Sequence, residues 1–388
     1  MLIAQTMRLL GSSQWLYDES GSAVPLGILG AIQLVQMPVS LYGGVLADVI
    51  DRKRLLAITQ SVSFLSLLLL TIAAISDDLT PWMIYLATGA TGISSMMGYS
   101  ARPAMMPRVL PRTHITNGVA LQTSSFQIGQ IVTPLMFGVF FINFGVTGTF
   151  LVGTIFALLS MIMPLLINAS GRPDPATAKQ PQLTSLIEGI RYVFKHPILP
   201  GLYVMDVGVT IVSFYRMLFP LFADQLYGMG SGGTAALATA NAVGGMSGSM
   251  LVFFTERIHR KGRLVLGATF IYAIGLFAFG FNEIFWLGLF IVGLLGATDA
   301  VGMTMRQAIV QLTTPDRLIG RASSAHSFSA IGANHIGQME VAFLASIIGA
   351  GYTMVLGGGV AVAVVGLVFW LIPGVRRYSY SASDKPIE

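Results

Sequence analysis

Of 388 residues, 54% are hydrophobic and 10% are charged, against roughly 25% charged in an ordinary soluble domain. With a mean hydropathy of +0.74, such a chain needs several membrane spans of about 20 residues each, which excludes a soluble fold. The net charge of +5 is spread in short basic clusters between apolar runs, which makes them topology determinants and excludes nucleic acid as a partner; the lack of Cys excludes disulfides and thiolate metal sites.

In chain order, the apolar runs predict an all-α membrane protein with twelve spans. The first, residues 1–17, is short and interrupted by Arg8; no small-residue cleavage site follows, so no cleavable signal peptide is expected. Spans 2 and 3 are 26–44 and 55–75. Span 4, 82–101, is rich in Gly and Met, and spans 5 and 6 cover 118–142 and 148–168. Residues 169–182, with Pro173, Pro175 and Pro181, read as a linker. Residues 183–195 read as an amphipathic surface helix stopped by Pro197. Spans 7 to 12 are 199–223, 234–255, 264–281, 285–309, 322–349 and 352–373, followed by a polar tail. The expected domains are an N-terminal six-helix bundle (1–168), a cytoplasmic linker with its amphipathic helix (169–198), a C-terminal six-helix bundle (199–373) and a cytoplasmic tail (374–388).

Every Lys and Arg except Arg8, Arg216 and Arg306 falls in a loop after an even-numbered span, in the linker or in the tail. The alternate loops carry none, so both termini and the linker are expected in the cytoplasm of a plasma-membrane protein, a bacterial inner membrane being the expected setting. One constant shift also brings Trp82 onto Trp286, Arg102 onto Arg306, Ala104 onto Ala308 and Pro111 onto Pro315. Paired six-helix halves point to an alternating-access transporter with its substrate site between them. The same shift places the start of span 7 before Met1, so the first span reads as truncated or eroded.

The strongest charge cluster lies in Gly44-Val45-Leu46-Ala47-Asp48-Val49-Ile50-Asp51-Arg52-Lys53-Arg54. It cannot lie in hydrocarbon and must be a turn between two spans. Gly44 and Asp48 share one helix face, where a small residue admits a second helix and the carboxylate can meet it. This stretch resembles the signature loop of the major facilitator superfamily: Gly44, Leu46, Asp48, Arg52 and Lys53 match, whereas Val49 and Asp51 depart from the pattern. The Ala-Asp-x-x-Asp-Arg form resembles the drug and siderophore exporter branch, which includes macrolide-efflux and enterobactin-export proteins. Trp15-Leu16-Tyr17 before Gly21-Ser22, Pro107 to Asn117, Ser185 to Pro197 and Gln311 to Arg321 are similar to that branch too.

The resemblance implies the major facilitator fold, two six-helix bundles with the first of twelve helices short or incomplete. It also implies a cytoplasmic gate in which Asp48 accepts from the start of span 11 near Arg321, where dipole and guanidinium both favour an anion. Arg52 would hold an acid of its own half, and Lys53 belongs to the same loop. In span 5, Gly129, Pro134 and Gly138 partly match the antiporter motif, with Thr133 where a Gly would stand. Pro134 can equally serve only to kink the helix.

Ionisable residues inside spans are costly and mark passages or partners. Asp206, Asp299 and Glu340 are the proton-coupling candidates, since a carboxylate in low dielectric can load and release protons near neutral pH. Arg216 is too far along span 7 to pair with Asp206, and Arg306 too far along span 10 to pair with Asp299. His326 and His335 read as packing groups, and Asn334 and Gln338 form a polar stripe with Glu340. Met96, Met97, Met105 and Met106 read as packing or lipid-facing positions. The Gly-rich 228–233 lacks the Lys of a phosphate loop, and no metal-binding His-Glu pattern or nucleophile elbow occurs. No enzyme activity, ATP hydrolysis, cofactor or metal is therefore expected. The reading is a secondary transporter exporting an amphipathic small molecule, drug-like or siderophore-like, by proton antiport. Its partners are the lipid bilayer, substrate and protons, and it acts as a monomer. Import or lipid movement on the same fold, or a non-transporting receptor or scaffold, are the alternatives.

Overall fold

The computed structural model describes residues 1–36, 38–39, 50–99, 101, 105, 109–111, 114–168, 171, 182–254, 258–314 and 316–379. Regular structure among the described residues is helical throughout. The chain divides into two compact units, Met1–Gln182 and Leu183–Glu388.

In the first unit, the helices are Leu2–Ser20, Val24–Gln33, Arg52–Ile75, Pro81–Tyr99 and Ile115–Ile162. The last is two spans, because Gly145 adopts φ 63 and ψ −158, a backbone conformation open to Gly and strained for other residues. Span 1 packs against this broken pair, span 3 against span 6 and span 4, and span 2 against span 4. Span 3 shows how lipid shapes a helix: Ile58, Leu65, Leu69 and Ile72 are exposed along one face, while Leu67, Leu70 and Ala74 are buried on the other.

The second unit opens with the surface helix Gln182–Lys195, whose Tyr192 hydroxyl donates to the Thr313 carbonyl at 3.2 Å. Span 7 runs Leu199–Ser213, breaks at Phe214 (φ −76, ψ 71), and resumes through a 3-10 turn, Tyr215–Leu218, into Phe219–Gln225. Gly230–Phe254, Lys261–Gly280, Phe285–Thr313, Asp316–Ile348 and Ala350–Leu371 are spans 8 to 12, and a short helix Pro373–Arg377 follows. Spans 8 and 10 touch backbone to backbone. A Cβ at Gly244 would run into the Gly293 carbonyl, the small-residue contact that lets membrane helices gain dispersion energy without a hydrophobic drive. Span 9 packs on span 12, and span 7 on spans 11 and 12.

Among the described residues, seven helices are long and apolar enough to cross a membrane. Spans 1, 2, 4 and 11 fall outside that set, and two of them are rich in polar groups: span 1 carries Gln5, Arg8 and Gln14, and span 11 carries His326, Asn334, His335, Gln338 and Glu340. Helices that carry so much polarity through a bilayer turn it towards protein or water, so these two are the first places to look for function.

His196 ties down the start of span 7. It is buried, and its Nδ1 accepts from the N–H of Ile198 (3.2 Å) and Leu199 (3.3 Å). Burial lowers its pKa below the ordinary value, and an accepting Nδ1 must be unprotonated. The contribution is therefore full above about pH 6.5, the unfolded value, and is lost as pH falls through the lowered native value. The melting temperature of the purified protein should drop between pH 7 and pH 5. His196→Asn replaces the ring nitrogen with an amide-oxygen acceptor that does not titrate, and should flatten that drop; an unchanged drop in the variant would show that His196 is not its source.

Candidate functional site

The break in span 7 organises the second unit's polar interior. Ending a helix at Ser213 frees its carbonyl inside the membrane, where an unsatisfied group costs several kcal/mol. The Tyr272 hydroxyl supplies the missing bond, donating to Ser213 O at 3.2 Å, and Asn241 Nδ2 donates to the Tyr215 hydroxyl at 2.5 Å. The space so opened is a cavity of about 60 Å³, lined from span 7 by Asp206, Thr210, Ser213 and Arg216, from span 9 by Thr269 and Tyr272, from span 10 by Thr298, Asp299 and Arg306, and from span 11 by Asn334. It is large enough for ordered water and far below the roughly 300–1,000 Å³ of a pocket for a drug-sized ligand. Its chemistry is that of charge.

Two ion pairs cross it. Arg306 Nη2 meets Asp206 Oδ1 at 2.7 Å, with both side chains only 10% and 11% exposed. Arg216 Nη2 meets Asp299 Oδ2 at 2.7 Å in a wetter setting, at 46% and 37% exposed. Each span carries an Asp followed by an Arg, and neighbouring odd and even spans run in opposite directions, so each acid faces the other span's base. Asp206 has a second neighbour: His326 Nδ1 of span 11 stands 4.0 Å from its Oδ2. That imidazole also lies edge-on to the Tyr203 ring, with centroids 5.4 Å apart. Among the described residues, Arg306 Nε is buried with no hydrogen-bond partner. Glu340 does not line this cavity. Among the described residues, its Oε2 is buried without a partner, as are His335 Nδ1 and Gln338 Oε1 on the same helix. Sequence spacing placed the acids but missed the cross-span pairing. The signal was the repeated Asp-then-Arg order in two antiparallel spans.

Gly44 and Asp48 of the first unit's signature loop lie outside the described residues, and so does the side chain of Arg321 in the second unit. Residues 51–54, the described end of the loop, are tied down. Asp51 caps span 3, accepting from the Lys53 N–H (2.9 Å) and the Arg54 N–H (3.4 Å), so its departure from the motif has a structural use. The Arg52 N–H donates to Gly171 O at 2.9 Å, and Lys53 Nζ donates to the Ile167 carbonyl. The loop is thus fastened to the chain that leaves span 6. In span 5, Pro134 lies inside the helix. Thr133 Oγ1 donates to Gly129 O at 2.6 Å, and a Cβ at Gly129 would meet Leu2 Cδ2 at 2.7 Å. Gly129 therefore admits span 1, and Gly138 is buried.

Arg8 is a functional candidate that the sequence left as a mere interruption. It is half-buried in span 1, and its Nη1 donates to Thr88 Oγ1 at 2.8 Å; one turn earlier, Gln5 Nε2 donates to Ser95 Oγ at 2.9 Å. The acids of residues 1–168 are Asp18, Glu19, Asp48, Asp51, Asp77 and Asp78. Those that are described lie at helix ends or in turns, and Asp18 is about 15 Å along the helix from Arg8. Among the described residues of this unit, the guanidinium has no carboxylate to neutralise it. A lone base in spans whose acids all fall in loops was visible in the sequence.

Comparison with known proteins agrees with this architecture. The chain is 25% identical over 345 residues to the enterobactin exporter EntS of Citrobacter koseri, covering 87% of this chain and 80% of that one. It is 26% identical over 302 residues to EntS of Shigella boydii, covering 76% and 71%. The inward-open xylose transporter XylE from E. coli matches its fold with a TM-score of 0.69 at 14% identity, over 98% of this chain and 95% of that one. Residues 4–334 match the Major Facilitator Superfamily. The chain therefore belongs to the Major Facilitator Superfamily and is a multi-pass membrane transporter.

Proposed function

We propose that this transporter exports an amphipathic, siderophore-like small molecule in exchange for protons, by alternating access across a bacterial inner membrane, with both termini in the cytoplasm. Two relatives named as enterobactin exporters support the direction and cargo class, and the partial antiporter motif at Gly129, Pro134 and Gly138 is consistent with both. Proton coupling rests on one observation above all: Asp206 is buried, bonded to Arg306 at 2.7 Å and flanked by His326. Ionised, Asp206 holds span 10 to span 7 through Arg306. A proton taken up by the carboxylate cancels its charge and releases the guanidinium, and the broken backbone at Phe214 gives that charge change an element to move. Asp299 with Arg216 is a second, wetter pair of the same kind, and Glu340 is the third candidate carboxylate. The signature loop, with Gly44, Asp48, Arg52 and Lys53 together with Arg321, acts as the cytoplasmic gate. Arg8 supplies a cation for a negatively charged cargo.

The test uses inside-out vesicles with an acidic lumen and radiolabelled enterobactin. Wild type should accumulate the label while the lumen alkalinises. Asp206→Asn mimics the protonated state permanently, so gradient-driven accumulation should fall at least about tenfold while exchange between equal pools of label persists. Asp48→Asn should insert normally but slow both modes. Wild-type accumulation in Asp206→Asn and also in Glu340→Gln would remove the proton assignment; label driven outwards by the same gradient would reverse the direction.

A further inference from the structure

On the flank of the second unit, separate from the charged cavity, a groove of about 860 Å³ runs between span 9 and span 12. Arg263, Leu266, Gly267 and Phe270 line one wall and Val362, Val365, Gly366 and Phe369 the other. Each set follows the i, i+3, i+4, i+7 spacing of a single helix face. Leu266 and Val365 are buried and make the floor, while Phe270 and Phe369 are exposed at the rims. A Cβ placed at Gly267 or at Gly366 would have nothing within 4 Å. The depth of the groove therefore comes from two missing side chains on facing helices.

Its polarity is divided end to end. Three guanidiniums gather at one end: Arg263 from the first turn of span 9, and Arg376 and Arg377 from the short helix after span 12. Arg376 is held over the Phe369 ring, 5.1 Å from its centroid. Arg263 lies at a helix N-terminus, where the dipole disfavours a cation and favours an anion. Among the described residues, no carboxylate lines the groove. Converging positive charge at the membrane boundary, joined to an apolar trough about one helix face wide, is complementary to a phosphate carrying acyl chains.

We propose that this groove binds an anionic phospholipid, with the phosphate among Arg263, Arg376 and Arg377 and an acyl chain lying over Gly267 and Gly366 between Phe270 and Phe369. The lipid clamps span 9 to span 12 at the end from which the tail emerges. This site is independent of the cargo and of the direction of transport.

Native mass spectrometry of the full-length protein in mild detergent, with added phosphatidylglycerol or phosphatidylcholine, tests it. Wild type should retain phosphatidylglycerol at least fivefold over phosphatidylcholine. The triple variant Arg263→Gln/Arg376→Gln/Arg377→Gln should lose that preference. Gly267→Leu/Gly366→Leu fills the trough, keeps every charge, and should lose retention as well. Where a multiple variant does not fold, single Arg376→Gln and Gly366→Leu give the same readout. Equal retention of both lipids by wild type overturns the proposal, as does unchanged phosphatidylglycerol retention in either class of variant. Displacement of the lipid by millimolar inorganic phosphate overturns it too, because a free anion would then be the ligand.

Discussion

Replacing Arg306 with Gln should destabilise the second unit far more than replacing Arg216 with Gln, although each substitution breaks an Asp–Arg pair of the same 2.7 Å length. The difference is water. Arg306 and Asp206 are 10% and 11% exposed, and removing one partner of a buried pair leaves an uncompensated charge at a cost of about 3–5 kcal/mol. Arg216 and Asp299, at 46% and 37% exposed, are rescreened by water in the cavity, and their pair is worth about 0–1 kcal/mol. The double variant Asp206→Asn/Arg306→Gln removes both charges and should recover most of the loss, because a neutral amide pair can hydrogen-bond where a single carboxylate cannot be left dry. Thermal melts of detergent-purified protein, with monodispersity checked by gel filtration, give the comparison. Equal losses for Arg306→Gln and Arg216→Gln, or a double variant worse than the single one, would mean that the Asp206 pair is no more desolvated than its neighbour.

The spans were legible because hydrocarbon imposes a simple rule, about 20 apolar residues between polar ends. The turn at Gly145 was legible for the same reason, as was the surface helix 182–195 from its amphipathic spacing. The break at Phe214 was not. Val209, Thr210, Ile211 and Val212 form a β-branched run that strains a helix, but in a hydropathy reading the same residues simply extend the span. Asp206 and Asp299 could be picked out as costly residues, yet their partners depend on which spans are neighbours, and periodicity within one helix carries no such information. Considering pairs only within a span led away from Arg306 and Arg216. Asp51 shows the converse: the sequence marked it as a departure from the superfamily motif, and its meaning as a helix cap needed the backbone of Lys53 and Arg54.

Arg8→Gln separates stability from function. A cation near the centre of a spanning helix costs about 2.5–3.5 kcal/mol on insertion scales, and Arg8 meets this cost with one bond to a Thr hydroxyl and no carboxylate among the described residues of its unit. Structural use alone would favour Gln, which can donate to Thr88 without the charge, so the variant should melt at or above the wild-type temperature. If the guanidinium serves an anionic cargo, the same substitution should cut enterobactin transport at least about tenfold, the equivalent of 1.4 kcal/mol of lost interaction. The loss should appear mainly in KM, since an attraction present before and during movement is uniform binding. Arg8→Lys keeps the charge but gives up the planar fork and is expected to fall between the two. Transport and melting measured on the same vesicle preparations decide the matter. A destabilised Arg8→Gln with proportionately weaker transport makes Arg8 a structural residue, while a stable variant with wild-type KM removes it from cargo recognition.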